Sequence, residues 1–147
     1  MILIGLPASG KSTFYRQRFA GTHDHVSKDL MRHARSPERR QQRLVAESLA
    51  AGRPVVVDNT NATRAERASI IALARGRGVP VVGYYFETTA ADALRRNRAR
   101  EGRARIPDVA IFAARKRMEA PERSEGFDRL YRVRMNEAEH SFEVSEF

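Results

Sequence analysis

The 147-residue chain contains no cysteine, which excludes disulfide staples and thiolate metal sites and fits a reducing, cytoplasmic setting. Long hydrophobic runs are also missing. None approaches the roughly 20 residues that cross a bilayer, and Met1-Ile2-Leu3-Ile4 runs straight into glycine instead of opening the apolar core of a signal peptide. There is no internal repeat, linker or low-complexity tract, so one compact, soluble domain spanning residues 1–147 is expected. Lysine is scarce, at Lys11, Lys28 and Lys116 only, and arginine supplies nearly all of the 27 basic residues that stand against 18 acidic ones. A GC-rich codon bias would exchange lysine for arginine but would not create the excess over acid. That excess, a net charge of +9, points to a polyanionic partner such as nucleic acid.

What is present alternates between two periods. Met1–Ile4 reads as a short buried strand, Lys11–Phe19 as the helix after it, and His25–Ser27 as a second strand. Glu38–Ala51 reads as a helix stopped by Gly52, and Pro54–Val57 as a β-branched strand ending on Asp58. Thr63-Arg64-Ala65-Glu66 has the capping-box pattern, which starts a helix carrying Ile70, Ile71 and Ala74. A strand over Val79–Phe86 follows, then a helix from Thr89 carrying Leu94. Pro107 suits the first turn of a further helix reaching Met118. Leu130–Val133 reads as a strand, and Ser141–Val144 is a weaker candidate. Strands alternating with helices imply an α/β fold, a parallel sheet flanked by helices on both faces. Ligands of such sheets sit at the carboxyl ends of the strands, where Gly5 onward, Asp29 and Asp58 fall.

Gly5-Leu6-Pro7-Ala8-Ser9-Gly10-Lys11-Ser12 is a Walker A pattern between a strand and a helix. The two glycines let the backbone wrap phosphate oxygens, Lys11 brings a cation to the β and γ phosphates, and the Ser12 hydroxyl is a hard ligand for Mg²⁺. Gly5, Ala8, Ser9, Gly10, Lys11, Ser12 and Thr13 are therefore the expected donor-binding set, for ATP or another nucleoside triphosphate. Asp58 is placed as the second anchor for Mg²⁺, although Asp-Asn-Thr-Asn would also suit a loop cap. Asp29 and Arg32 share a face if their segment is helical. There the carboxylate could take the proton of an attacking hydroxyl and the guanidinium could hold an acceptor phosphate, the alternative being an exposed helix start. Arg95, Arg96, Arg98, Arg100, Arg103 and Arg105 crowd into eleven residues with only Glu101 opposing them. Either they form an arginine-rich helical lid, approximately residues 95–107, or a solvated helix face.

In order along the chain, Gly5–Thr13, Ser27-Lys28-Asp29, Val57-Asp58-Asn59-Thr60-Asn61, Asn97-Arg98-Ala99-Arg100-Glu101 and Glu119-Ala120-Pro121-Glu122 with Glu125-Gly126-Phe127 resemble the polynucleotide 5′-hydroxyl kinases. The resemblance is strongest to the kinase domain of polynucleotide kinase/phosphatase. It implies the P-loop kinase fold and transfer of a γ-phosphate, with Mg²⁺, to the 5′-OH end of DNA or RNA in nucleic-acid end healing. It makes Asp29 the general base, Arg32 the holder of the acceptor end, and Asp58 the aspartate near the metal. Thr60 and Asn61 become neighbours of the phosphates, and Arg100, or Arg96 in a competing alignment, becomes the catalytic lid arginine. The Glu119–Phe127 tail, with the arginine lid, becomes a candidate for recognising the donor base. The phosphatase motif has no counterpart in the chain. Two rival readings are a small-molecule kinase of the same fold and a nucleotide-dependent nucleic-acid-binding module without transfer.

Overall fold

The computed structural model describes all residues from Met1 to Phe147. In chain order it runs β1 (Ile2–Ile4), α1 (Lys11–Arg18), β2 (Asp24–Val26), a 3-10 turn (Lys28–Met31), α2 (Pro37–Ala50), β3 (Val55–Asp58), α3 (Arg64–Arg75), β4 (Val82–Phe86), α4 (Ala90–Arg98), a 3-10 turn (Gly102–Ala104), α5 (Asp108–Arg117), a 3-10 turn (Arg123–Glu125), β5 (Arg129–Asn136) and β6 (Ser141–Glu146). One sheet is built in the order β2-β3-β1-β4-β5-β6. Neighbours from β2 through β5 are parallel, and β6 closes the far edge antiparallel to β5. No helix is long and apolar enough to cross a membrane.

Strand period two divides the core between the faces. Ile2, Ile4, Val55 and Val57 point to one side, where they meet Val45 of α2 and Ile70 and Ile71 of α3. Leu3, Val56 and Phe86 point to the other, onto Phe14 of α1 and Phe142 of β6. Leu6, Ala93 and Ile111 form a smaller cluster that fixes α4 and α5 beside the loop after β1. The expected helices on both faces are thus present.

Three departures from the sequence reading have physical causes. The strand expected from Val79 begins only at Val82, because Pro80 has no N–H and the Val81 N–H bonds the Asp128 carboxylate at 2.7 Å instead of a ladder partner. The sheet is mostly, not wholly, parallel, since β5 turns directly into β6 through a short hairpin. The arginine-dense segment is only partly helical: α4 ends at Arg98 and a loop with one 3-10 turn continues to α5.

The Thr63 capping box forms as read, with Thr63 accepting from the Glu66 N–H and Glu66 reaching back to the Thr63 N–H. One α3 side chain then organises the tail motif. Arg67 is fully buried and grips Glu125 with two nitrogens, at 2.7 and 2.8 Å, while its Nη1 donates to the carbonyls of Asn61, Ala62 and Glu119. Breaking such a pair costs about 3–5 kcal/mol, because the survivor is left charged in the interior. The Glu119–Phe127 tail therefore fastens α3 to the sheet, and Phe127 is itself in the core.

Candidate active site

The loop from Gly5 to Gly10 owes its shape to two close approaches. A Cβ on Gly5 would lie 2.8 Å from Phe86 Cβ, and one on Gly10 would lie 3.0 Å from the Phe142 ring. Gly10 (φ 97°) and Ala8 (φ 62°) are both left-handed. That turns successive N–H groups toward the concave side, an arrangement suited to anions, at a cost of about 1–2 kcal/mol for the alanine. The first turn of α1 opens on the same hollow, so its dipole adds to the field.

Lys11 is buried, and its ammonium donates to the Gly5 carbonyl (2.8 Å), the Leu6 carbonyl (2.7 Å) and Ser9 Oγ (3.3 Å). Burial pulls its pKa down from 10.5 to about 8, against the opposing pull of the Asp58 charge. Ser12 Oγ donates to Asp58 Oδ2 at 2.8 Å, and Nε2 of His25 lies 3.1 Å from the same oxygen. Burial raises the Asp58 carboxyl pKa, but the bonds from His25 and Ser12 and the charge of Lys11 outweigh it, and the group stays below its ordinary value. His25 is held by stacking on Tyr15, with ring centroids 3.9 Å apart.

The donor set for a divalent ion is thus one hydroxyl and one buried carboxylate, with no cluster of three or more His, Cys, Asp or Glu. Such a sparse set fits Mg²⁺, which keeps several waters and leans on substrate phosphates, and does not fit zinc or a caged calcium.

Lys11, Ser12 and Asp58 line a cavity of about 460 Å³ whose other walls include Asp29, Arg32, Thr60, Arg16, Arg100 and Arg103. The 3-10 turn carrying Asp29 is positioned by a relay. The Lys28 N–H donates to Asn59 Oδ1 (2.8 Å), and the Asn59 amide donates to the buried Gln41 (2.5 Å). Ser27 caps the turn by accepting from the Asp29 N–H. The cavity arginines meet only neutral oxygens: Arg16 donates to Thr13 Oγ1, Arg32 to the Asp29 carbonyl and Arg100 to the Ala104 carbonyl. Partial burial lowers the Arg100 pKa, while the Asp29 charge pulls it the other way. The two groups line the same hollow.

The expected residues therefore divide. Gly10, Lys11, Ser12, Thr13, Ala8, Ser9, Asp29, Arg32, Asp58, Thr60 and Arg100 border one space. Gly5 sits behind it, donating to the Thr60 carbonyl at 3.1 Å. Asn61 is buried, and its amide donates to the Leu3 and Val57 carbonyls, so it shapes the strand end instead of facing the cavity. Arg96 borders a different hollow, with Met135, Asn136 and Phe142, and bonds Glu137 at 2.6 Å. The tail motif, through Arg67 and the core, lies outside the cavity.

Sequence reasoning passed over His25 and Arg16 as site residues, and named Asn59 and Arg103 only as members of a motif and of the arginine cluster. Arg16 had a signal, lying one helical turn beyond Ser12 on the same face. His25 had none in the sequence. It pairs with Val56 on the adjacent strand, two residues before Asp58.

A family model described as an AAA domain matches residues 1–121. A bifunctional polynucleotide phosphatase/kinase of Schizosaccharomyces pombe is 25% identical over 137 residues, which cover 90% of this chain and 33% of that protein. The chain thus spans about a third of that relative's length. A gluconokinase from Sinorhizobium meliloti 1021 superposes with a TM-score of 0.66 at 21% identity, over 95% of this chain and 85% of its own. Kti12 of Chaetomium thermophilum, in complex with ADP-AlF3, superposes with a TM-score of 0.67 at 18% identity, over 95% of this chain and 92% of its own. Both likenesses establish the fold. With more than three quarters of its residues matched, the chain belongs to the AAA-domain family and carries its P-loop on the first strand–helix turn of a P-loop kinase fold.

Proposed function

We propose that this domain transfers the γ-phosphate of ATP or another nucleoside triphosphate to the 5′-hydroxyl end of DNA or RNA. The observation that carries the reading is the single cavity in which Asp29 and Arg32 stand opposite Lys11, Ser12 and Asp58, among arginines with no carboxylate partner. A carboxylate there can activate either water or a hydroxyl, and the guanidinium of Arg32 lining the same cavity favours an acceptor that carries a phosphate. The identity to the fission-yeast polynucleotide phosphatase/kinase supports a nucleic-acid end as the acceptor, and the net charge of +9 agrees.

The triphosphate enters over the loop N–H groups, and Lys11 exchanges the Gly5 and Leu6 carbonyls for phosphate oxygens. Ser12 and Asp58 would hold Mg²⁺, which when bound neutralises charge on the phosphates. Asp29 accepts the proton of the 5′-OH as its oxygen attacks the γ phosphorus; the bond to the bridging oxygen breaks and the nucleoside diphosphate leaves. Arg32 holds the 3′-phosphate of the terminal nucleotide, and Arg100 stabilises the equatorial oxygens of the phosphoryl group in flight. Thr60 borders the phosphates.

The test is incubation with γ-labelled ATP, Mg²⁺ and matched 5′-OH DNA and RNA oligonucleotides. Label on an oligonucleotide end is the expected result. Label on a small polyol, with none on either oligonucleotide, would overturn the assignment in favour of a small-molecule kinase.

A further inference from the structure

We infer that the exposed strip formed by Leu30, Arg35, Arg39 and Arg40 carries the acceptor strand beyond its terminal nucleotide. The inference deepens the polynucleotide-kinase reading and rests on it. The acceptor wall of the cavity ends at Asp29 and Arg32. From there the chain leads directly to Arg35 and then, in the first turns of α2, to Arg39 and Arg40, all three exposed. A strand whose 5′-OH lies at Asp29 can leave over the segment that bears Asp29, where these are the next cations along the chain after Arg32.

Their charge is not balanced within the protein. The carboxylates nearest in sequence are engaged elsewhere, Glu38 by Lys28 and Glu47 by Arg43. On the lid side half of the six clustered arginines are balanced. Arg95 and Arg96 share Glu137, Arg98 pairs with Asp108, and Arg117 with Glu66. Unbalanced, exposed guanidinium groups this close along the chain suit the phosphates of a strand, whose binding releases counterions and is therefore salt-dependent.

Leu30 adds an apolar element. It is 70% exposed beside the buried Met31, so the turn is anchored by one side chain and presents the other to the mouth of a charged cavity. A solvent-facing leucine there gains nothing within the chain and suits the flat face of a base or sugar. The competing exit runs along α5, past exposed Val109 and Phe112 to Arg115 and Lys116. It leaves from the lid, opposite the base that receives the hydroxyl.

The decisive comparison uses the triple variant Arg35→Gln, Arg39→Gln, Arg40→Gln and, as a control, Arg115→Gln with Lys116→Gln. Transfer is measured to a nucleoside 3′-phosphate and to a 5′-OH 12-mer, each across a salt series, and 12-mer binding by fluorescence anisotropy. The expected result is a KM for the 12-mer raised about tenfold or more in the triple variant, with kcat and nucleoside 3′-phosphate kinetics unchanged. The slope of log KM against log salt should flatten by about 2, three phosphates at about 0.7 each. Leu30→Ser should raise the KM for the 12-mer with the salt slope intact. Equal effects on both acceptors, no effect, or a loss confined to the α5 control would overturn the strip. The two ideas fail separately. Anisotropy that depends on the three arginines while label reaches only a small polyol leaves a strand-binding strip with no acceptor role and removes the polynucleotide-kinase reading. Transfer to the 12-mer that ignores the three arginines does the reverse, and absence of 12-mer binding by the wild type overturns the strip.

Discussion

The two halves of the cavity are built in opposite ways. On the donor side the two charged groups are buried and already engaged, with Lys11 on loop carbonyls and Asp58 taking bonds from Ser12 and His25. On the acceptor side Asp29 and Arg32 are exposed on a four-residue turn and hold no other charged side chain. The donor half is preorganised, so its contribution is electrostatic and sensitive to small displacements. The acceptor half is a set of reaching side chains supported from behind by the Lys28–Asn59–Gln41 relay. Preorganisation suits an invariant triphosphate; a looser wall suits chain ends of differing shape.

Substitutions on each side break this contrast differently. Arg100→Ala, which removes the lid guanidinium that lines the cavity with Asp29, should lower kcat by about 10³-fold or more, while Arg96→Ala changes it less than about threefold because Arg96 is clasped to Glu137. Equal losses would return the catalytic role to Arg96. Asp29→Ala should lower kcat by about 10²–10⁴-fold and leave triphosphate affinity unchanged by calorimetry; Lys11→Ala should lose both. If Asp29→Ala also lost nucleotide affinity, the separation into halves would not hold.

The pH response is smaller and has two signs. Folded Lys11 sheds its proton near pH 8, whereas the unfolded side chain keeps it to about 10.5. Between those values the unfolded chain binds more protons, so the lysine's contribution to stability rises with pH. Triphosphate binding needs the ammonium, so affinity falls by up to about tenfold per unit above pH 8. Calorimetry in buffers of different ionisation enthalpy should show proton uptake on binding at pH 9 and little at pH 6.5. Affinity that is flat from pH 7 to 9.5 would place the lysine proton elsewhere. The smallest effect is expected at the rim: exchanging exposed Arg103 for lysine should alter KM by no more than a few fold, since both cations act there as point charges.

Local patterns made most of the donor half legible. The P-loop, the β-branched run ending on Asp58 and the Thr63 capping box are read from residues within a few positions of each other. The parts that were not legible depend on pairs distant in sequence. Arg67 meets Glu125 across 58 positions, and the Asp128 carboxylate takes the Val81 N–H that would have extended β4. A solitary histidine on a three-residue strand carries no periodic signal, so His25 became visible only when β2 lay beside β3. Asn61 shows the converse. The family resemblance put it near the phosphates, whereas its buried amide, on a left-handed backbone (φ 46°), donates to the carbonyls of Leu3 and Val57.

Asn97 fixes the size of the moving part. Its buried amide accepts from the Ile106 N–H and donates to the Ile106 carbonyl, at 3.1 and 2.7 Å, tying the end of α4 to the start of α5. Above it, Arg95 and Arg96 hold Glu137 so firmly that the carboxyl pKa falls to about 2. The segment between is thus a ring closed at its neck, with Arg100, Arg103 and Arg105 on the rim. Closing over substrate is then a matter of reshaping one small ring, not of swinging a helical arm. On substrate binding, hydrogen exchange should slow at the P-loop amides and, between α4 and α5, at amides 99–105 only, while the radius of gyration stays constant.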